Sequence, residues 1–432
     1  YQHSSFGLRY LRANLAELEQ RSIILEFTIN ERAVDLAEKI LAHRPSIVGL
    51  GVYIWNVPIA QQVVRILRRV SPDLIIVLGG PEVSYEHDAQ TWLKDADYVV
   101  CGEGEQVFTA LCRDLLKGEK PALKIQQGTT PDMAELAMPY RLYTDEDVAN
   151  RVVYVEASRG CPYRCEFCLS SLDQRMREVG LDVFFDQMET LLVRGATGFK
   201  FIDRTFNLSI PFALRVLEFF HARLRPGLSL HFEMVPERLP PELIDALARF
   251  PDGVIQLEVG VQTFDKSVAK RISRPLKIQP LRKNISALRE QTSVHLHVDL
   301  IAGLPGEDLA SFAAGFDQLH ALNPHEIQLG ILKRLKGTPI TRHTNAFDMV
   351  YSDEPPFEVL QTSVLSFAEL QEVKRIARFW DLVSNNGQFP ATSRLIWADQ
   401  PSVFGAFREF ARWLYQTTDR TSHISLLKLA EY

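Results

Sequence analysis

The chain has 432 residues, 46% of them hydrophobic and 24% charged, with a net charge of −6. That length holds two or three domains with cores of their own, and the composition excludes a disordered chain. The negative balance argues against a broad nucleic-acid footprint, no apolar run reaches the ~18 residues that span a bilayer, and the five cysteines make no disulfide framework.

In chain order, residues 5–19 read as a helix, and because the chain opens on Tyr1 a further strand is expected ahead of it. Residues 23–27, 46–52, 74–78 and 98–101 are short apolar runs, each followed by an amphipathic segment. This β-α alternation demands a parallel sheet covered on both faces, with its ligand beyond the carboxyl ends of the strands. Three loops share that rim: one with Tyr53, Trp55 and Asn56, one with Gly79 and Gly80, one with Gly102 and Glu103. Residues 1–125 are therefore expected to form a Rossmann-like domain, and 126–150, which lose periodicity, a linker.

The alternation resumes with strands at 152–157, 199–203, 229–233, 254–261, 295–301 and 326–332 and helices such as 181–194, 240–249, 280–290 and 309–322. Six such units predict a partial (β/α)6 barrel over 151–340. Residues 341–432 read as mostly helical, with 364–382 the longest run and 402–415 rich in aromatics. The fold class is α/β.

Cys161, Cys165 and Cys168 stand in a C-x3-C-x2-C spacing on a loop after the first barrel strand. Three thiolates leave one corner of a [4Fe-4S] cube open for a ligand, where four would close the site; a zinc ion completed by a distant His or Asp is the alternative. Polar residues fall at barrel strand ends, where they point into the mouth: Asp203, Glu233, Gln262 and Asp299, with Arg274 twelve residues beyond Gln262. Taken singly, Gln262 or Asp299 could be a strand-end cap, and Asp203 or Asn207 a helix cap.

The cysteine motif, with Phe167 directly before Cys168, resembles the radical S-adenosylmethionine (SAM) superfamily. Gly260-Val261-Gln262-Thr263-Phe264, Ile272-Ser273-Arg274 and residues 299–307, Asp299 through Gly303-Leu304-Pro305-Gly306-Glu307, are similar to its coproporphyrinogen-dehydrogenase-like branch. The resemblance implies a [4Fe-4S] cluster on the three cysteines and SAM on its open iron. It further implies Gln262 and Asp299 on the ribose and methionyl groups, Arg274 on the methionine carboxylate, Phe167 near adenine, and Asp203 and Glu233 at SAM or the mouth.

The N-terminal domain resembles the cobalamin-binding module that precedes many such barrels, through residues 77–83 and 97–105. The D-x-H-x-x-G signature that supplies a histidine to cobalt is absent, and neither His3 nor His87 has that context. The resemblance therefore implies cobalamin without a histidine lower ligand, near Tyr53, Trp55, Asn56, Gly79, Gly80, Gly102 and Glu103; a scaffold that has lost its cofactor is the alternative. The tail resembles that of an uncharacterised subfamily of B12-binding-domain radical SAM proteins.

Together these imply an enzyme that cleaves SAM reductively and passes a methyl group to an unactivated carbon. A non-methylating rearrangement or cyclisation is the alternative within enzymes, a cofactor-binding sensor or scaffold the alternative outside them. Intact Gln262, Arg274 and Asp299 argue against a sensor, and Cys101 with Cys112 cannot make the second cysteine triad of the tRNA methylthiotransferases. The expected partners are a small-molecule substrate and a flavodoxin- or ferredoxin-type electron donor, in the cytoplasm, without nucleic acid or membrane insertion. Aromatics in the tail (Phe379, Trp380, Phe404, Phe407, Phe410, Trp413) are expected to pack helices.

Overall fold

A computed structural model describes residues 3–274 and 276–431. Its N-terminal unit is a parallel sheet of Ile47–Gly51, Ile75–Gly79, Tyr98–Cys101 and Ile125–Gln127, with neighbours in sequence paired in space. Alternation along the strands turns Ile76, Leu78 and Val99 toward helices Ala33–Ala42 and Val57–Val70. It turns Val77, Tyr98 and Val100 toward helix Glu105–Leu116. Both faces are thus covered, as a parallel sheet requires.

Three local expectations fail here. Residues 23–27 pair with no strand, and Glu26 among them accepts from Arg9 (2.9 Å) and Arg151 (2.8 Å). The first helix stops at Ala13 and a 3-10 turn follows over Ala16–Arg21, because Ala16 takes a left-handed φ of 51°. The stretch 126–150 is more than a linker: it continues the fourth strand and ends in helix Asp145–Asn150, closed by a Thr144/Asp147 capping box.

The second unit is a six-stranded parallel sheet, Val153–Val155, Gly198–Phe201, Ser229–Met234, Ile255–Gln262, His295–Ala302 and Glu326–Ile331, each strand beside the next in the chain. Helices such as Leu181–Val193, Ile210–His221, Ile278–Gln291 and Leu309–His320 cover its outer face. Outward residues (Ile255, Leu257, Val259 and Val261 on the fourth strand) are buried, whereas the inward set (Gln256, Glu258, Gly260, Gln262) is only half buried. This is a partial barrel with an apolar shell and a polar interior.

The tail packs on that shell. Helix Phe367–Trp380 and helix Val403–Thr418 bring Phe379, Trp380, Phe404 and Phe407 into the barrel's own core, where Phe316 meets Trp380 edge-on at 4.8 Å. Trp413 stays exposed at the end of this seam. No helix among the described residues is long and apolar enough to cross a membrane.

Candidate active site

The first barrel strand runs out through Glu156 and Ala157 into a hairpin neck, in which Ser158 and Arg159 pair antiparallel with Glu178 and Arg177. Residues 160–176, the cysteine loop, hang from this neck. Gly160 has φ 91°, and a Cβ there would collide with the Arg175 carbonyl, so only glycine fits. Cys161 N–H donates to Asp173 O (2.9 Å), and Cys168 N–H to Cys165 O (3.1 Å), which fixes the C-x2-C turn.

Cys161 and Cys165 are buried and Cys168 half buried. Burial pushes the Cys165 thiol up, Arg274 counters it, and Cys168 and Cys161 raise it further, so the three sulfurs share one field. Among the described residues no three His, Cys, Asp or Glu side chains are grouped so as to hold a single metal ion. The loop offers three thiols within eight residues, soft donors of the kind that hold an iron–sulfur cluster, and this donor set fits one.

Glu166, between two of the cysteines, is the loop's anchor. It is buried and accepts from Ser273 Oγ (2.7 Å), lies 2.8 Å from His343 Nε2, pairs with Arg342, and its backbone bonds Ile272 and Ile340. The sequence offered no sign of this role, because its partners lie more than a hundred residues away.

Behind the loop, the structure brings together Cys165, Arg274, Gly260 and Gln262. Arg274 reaches Cys165 Sγ (3.6 Å) through Nη1 and the Gly260 carbonyl through Nη2. The Gln262 amide folds over Gly260, where a Cβ would strike it; the strand slips register at this point and Gln262 takes φ 72°. Asp299 sits opposite Gly260 on the fifth strand. Gln262 Oε1 and Asp299 Oδ1 are buried without a hydrogen-bond partner; His297 Nε2 lies 3.4 Å from that Asp299 oxygen outside bonding geometry. A buried amide oxygen with no hydrogen-bond partner, beside a buried carboxylate oxygen whose neighbour is the His297 imidazole, suits a ligand-binding mouth. Phe167 packs half buried against the barrel core, and Glu233 is held by Arg204 at 3.1 Å.

Asp203 does something else. It is 1% exposed, accepts from Ser158 Oγ (2.6 Å) and Ala157 N–H (3.0 Å), and burial lifts its carboxyl to about 7. It ties the second strand to the neck of the cysteine loop instead of opening on the mouth. Asn207 likewise spends its amide on Val235, bridging two strand ends.

The barrel interior also holds a ladder of residues set back from the strand ends: Lys200, His231, Glu258, His297 and Glu326. His231 lies 2.9 Å from Glu258, Lys200 3.9 Å from the same carboxylate, and His297 Nδ1 3.3 Å from Glu326. Burial alone would lower His297, but Asp299 and Glu326 outweigh it and raise the imidazole to about 9. The signal was present as polar residues recurring every second position, Gln256-Leu257-Glu258 and His295-Leu296-His297.

On the N-terminal rim, Tyr53 and Trp55 stack at 4.7 Å with Trp55 62% exposed, and Gly102 (φ 70°) has open space where a side chain would stand. Asn56 is spent locally, accepting from Tyr53 N–H and donating to Gly51 O. Gly79 closes the second strand, and Gly80 (φ 103°) is required by close approach to Val52. Glu103 is held by Arg159 and Arg177 of the barrel domain and does not face an open rim. His87 Nε2 lies 3.0 Å from Val83 O and 3.3 Å from Cys101 Sγ, and the His3 ring bonds Tyr154 Oη (2.9 Å).

A thiol loop on the first strand of a parallel barrel, with unpaired acceptors behind it and a doubly wound domain against it, frames a cluster-and-SAM site of the radical kind. Residues 1–112 match the B12 binding domain, residues 155–319 the Radical SAM superfamily, and residues 345–429 a family described as protein of unknown function, DUF4080. The chain thus carries a B12-binding domain followed by a radical SAM domain. These two domains imply a [4Fe-4S] cluster, SAM and cobalamin as cofactors.

Among its relatives, the cobalamin-dependent radical SAM methyltransferase TokK of Streptomyces tokunonensis is 24% identical, over 72% of this chain and 50% of that protein. The anaerobic magnesium-protoporphyrin IX monomethyl ester cyclase of Rubrivivax gelatinosus is 24% identical over 70% and 59%. The structure of the radical SAM methyltransferase TsrM from Kitasatospora setae, with cobalamin and a [4Fe-4S] cluster, superposes with a TM-score of 0.65 at 17% identity, covering 96% of this chain and 97% of that one. The chain spans about half the length of the curated methyltransferases it matches.

Proposed function

We propose that this protein is a cobalamin-dependent radical SAM methyltransferase acting on an unactivated carbon of a small molecule. The observation that carries this reading is the pair of buried acceptors that make no hydrogen bond, Gln262 Oε1 and Asp299 Oδ1, beside an arginine that touches Cys165. When bound, the cluster and cobalamin supply an electron for cleaving SAM and a carrier for its methyl group. Cys161, Cys165 and Cys168 hold the cluster in this reading. Gln262 and Asp299 accept from the hydroxyl and ammonium donors of SAM. Arg274, with donors left beyond Gly260 and Cys165, faces its carboxylate. Phe167 lies beside adenine, and Glu233 with Arg204 edges the mouth. The electron comes from a flavodoxin- or ferredoxin-type donor.

Cobalamin in this reading lies against Tyr53, Trp55, Gly79 and Gly102, with no histidine on cobalt. Its support is that His87 is engaged with Val83 and Cys101, and that His3 lies against Val152 and Tyr154 of the first barrel strand. Nitrogen superhyperfine splitting should therefore be absent from the Co(II) resonance spectrum of loaded protein. A clear splitting would refute this part.

A non-methylating cyclisation is the second reading, favoured by the likeness to the cyclase. Anaerobic reconstitution with iron, sulfide and hydroxocobalamin, then reduction and incubation with SAM, separates the two. S-adenosylhomocysteine formed in proportion to 5′-deoxyadenosine supports methylation, and 5′-deoxyadenosine alone supports cyclisation. Neither product would sink both.

A further inference from the structure

The neck of the cysteine loop contains a local conflict. Arg159 and Arg177 stand directly opposite each other across the two-stranded ladder Ser158–Arg159 with Arg177–Glu178. Like charges facing across an antiparallel pair are destabilising, and here both side chains are largely buried, at 17% and 6% exposed. One carboxylate bonds both guanidiniums, and it comes from the other domain. Glu103 Oε2 accepts from Arg159 Nη1 (2.8 Å) and Arg177 Nη1 (3.1 Å), and Glu103 Oε1 accepts from Arg177 Nη2.

The connections continue on both sides. Arg159 also bonds Glu105 (2.8 Å) from the N-terminal domain and Glu156 (2.8 Å) from its own strand; burial would lower its pKa, and Glu156, Glu105 and Glu103 outweigh that and raise it. Arg177 also bonds Asp173 Oδ2 (2.8 Å), whose backbone carbonyl receives the Cys161 N–H, and donates to Pro131 O (2.7 Å). Glu103 follows Gly102, the strand-end glycine with open space before it. Charged hydrogen bonds thus run from Glu103 of the rim loop through Arg177 to Asp173, whose backbone carbonyl holds the Cys161 N–H, while Arg159 ties the same carboxylate to the other strand of the neck.

We propose that Glu103 is a positioning residue that clasps the neck of the cluster loop, so that filling the cluster site and filling the cobalamin site favour each other. Cluster assembly holds residues 160–176 in place, which holds Arg159 and Arg177. Those two hold Glu103, and with it the rim loop that cobalamin must meet. By linkage, cobalamin must then favour the cluster by the same factor. This rests on the functional reading above, because it requires both cofactors on one chain.

The test measures binding, not turnover. Hydroxocobalamin affinity is determined by absorbance titration under anaerobic conditions for the protein before and after cluster reconstitution, in wild type and in Glu103→Gln. Wild type should bind about fivefold or more tightly once the cluster is in place. Glu103→Gln, which keeps the shape but removes the charge that bridges the two arginines, should show a ratio near one, and Glu103→Asp should recover part of it. A residue with only a structural role would shift both affinities together and leave the ratio alone. An unchanged ratio in Glu103→Gln, or no tightening in wild type, overturns the clasp. Failure of wild type to bind corrinoid in either state overturns the underlying cobalamin reading and the clasp with it. Should Glu103→Gln fold poorly, Arg177→Lys, which loses the forked contact to Glu103 but keeps a charge, must reduce the ratio as well; an unreduced ratio there also overturns the clasp.

Discussion

Arg274 sits where three demands meet, since it bonds a strand carbonyl at Gly260, touches the Cys165 sulfur, and lies beside the orphaned Gln262 amide. A charge-assisted contact of this type contributes roughly 1.5 to 3 kcal/mol. Arg274→Ala should therefore weaken SAM binding about tenfold or more while iron content stays at the wild-type level, measured by equilibrium dialysis and iron assay on one preparation. Asp203 makes the opposite prediction. Because both its oxygens are spent on Ser158 and Ala157, Asp203→Asn turns an amide donor toward one of two donors and loosens the neck of the cysteine loop. Iron retention through gel filtration should fall, and equal retention would place Asp203 outside the loop's support. That Cys165, Gln262 and Arg274 lie together was legible in the sequence, because spacing and residue type single them out. Asp203, Asn56 and Glu103 were assigned to ligands because nothing local shows that their partners are protein groups from other strands or from the other domain.

At the level of elements, all six barrel strands fell within two residues of their expected ends, since apolar runs bounded by helices leave little freedom. The failures were segments whose pairing is decided elsewhere. Residues 23–27 have strand composition but pair with no strand, Glu26 being held by Arg9 and Arg151, and 125–127 form a strand against the edge that Tyr98–Cys101 offers. The polar interior has a pH signature. His297 is raised to about 9 by Asp299 and Glu326, above its ordinary value near 6.5. A histidine raised in the folded state contributes stability that is fully present below about pH 6.5 and is lost as pH rises through about 9. The wild-type unfolding midpoint should accordingly fall between these limits more steeply than that of His297→Gln, which keeps a donor but cannot titrate. Parallel curves in thermal melts across that range would show that His297 is solvated and that the ladder does not stabilise the barrel.

The arrangement of the whole molecule was the least legible feature, because the contacts that set it join residues as far as 254 positions apart. Beside the Glu103 contacts, a second seam joins the domains through the loop that follows strand Ile75–Gly79. Lys336, from the loop after the last barrel strand, donates to Glu82 at 2.7 Å, and Arg334 pairs with Glu86 at the same distance. Glu82 is 2% and Lys336 8% exposed, so this pair is fully removed from water, with the Lys336 ammonium also 4.3 Å over the Phe357 ring. Taking one partner from a buried pair leaves a charge with no solvent and no counter-ion, at a cost of about 3 to 5 kcal/mol, whereas replacing both with apolar groups is often neutral. Lys336→Met should therefore lower the unfolding midpoint strongly, and Glu82→Leu combined with Lys336→Met should recover most of the loss. The same pair of variants separates stability from domain placement. If the buried pair fixes the geometry between the domains, the double variant should regain its melting temperature yet bind hydroxocobalamin more weakly than wild type. Recovery of both would reduce the pair to a stabilising contact, and a single variant as stable as wild type would show that water reaches the seam.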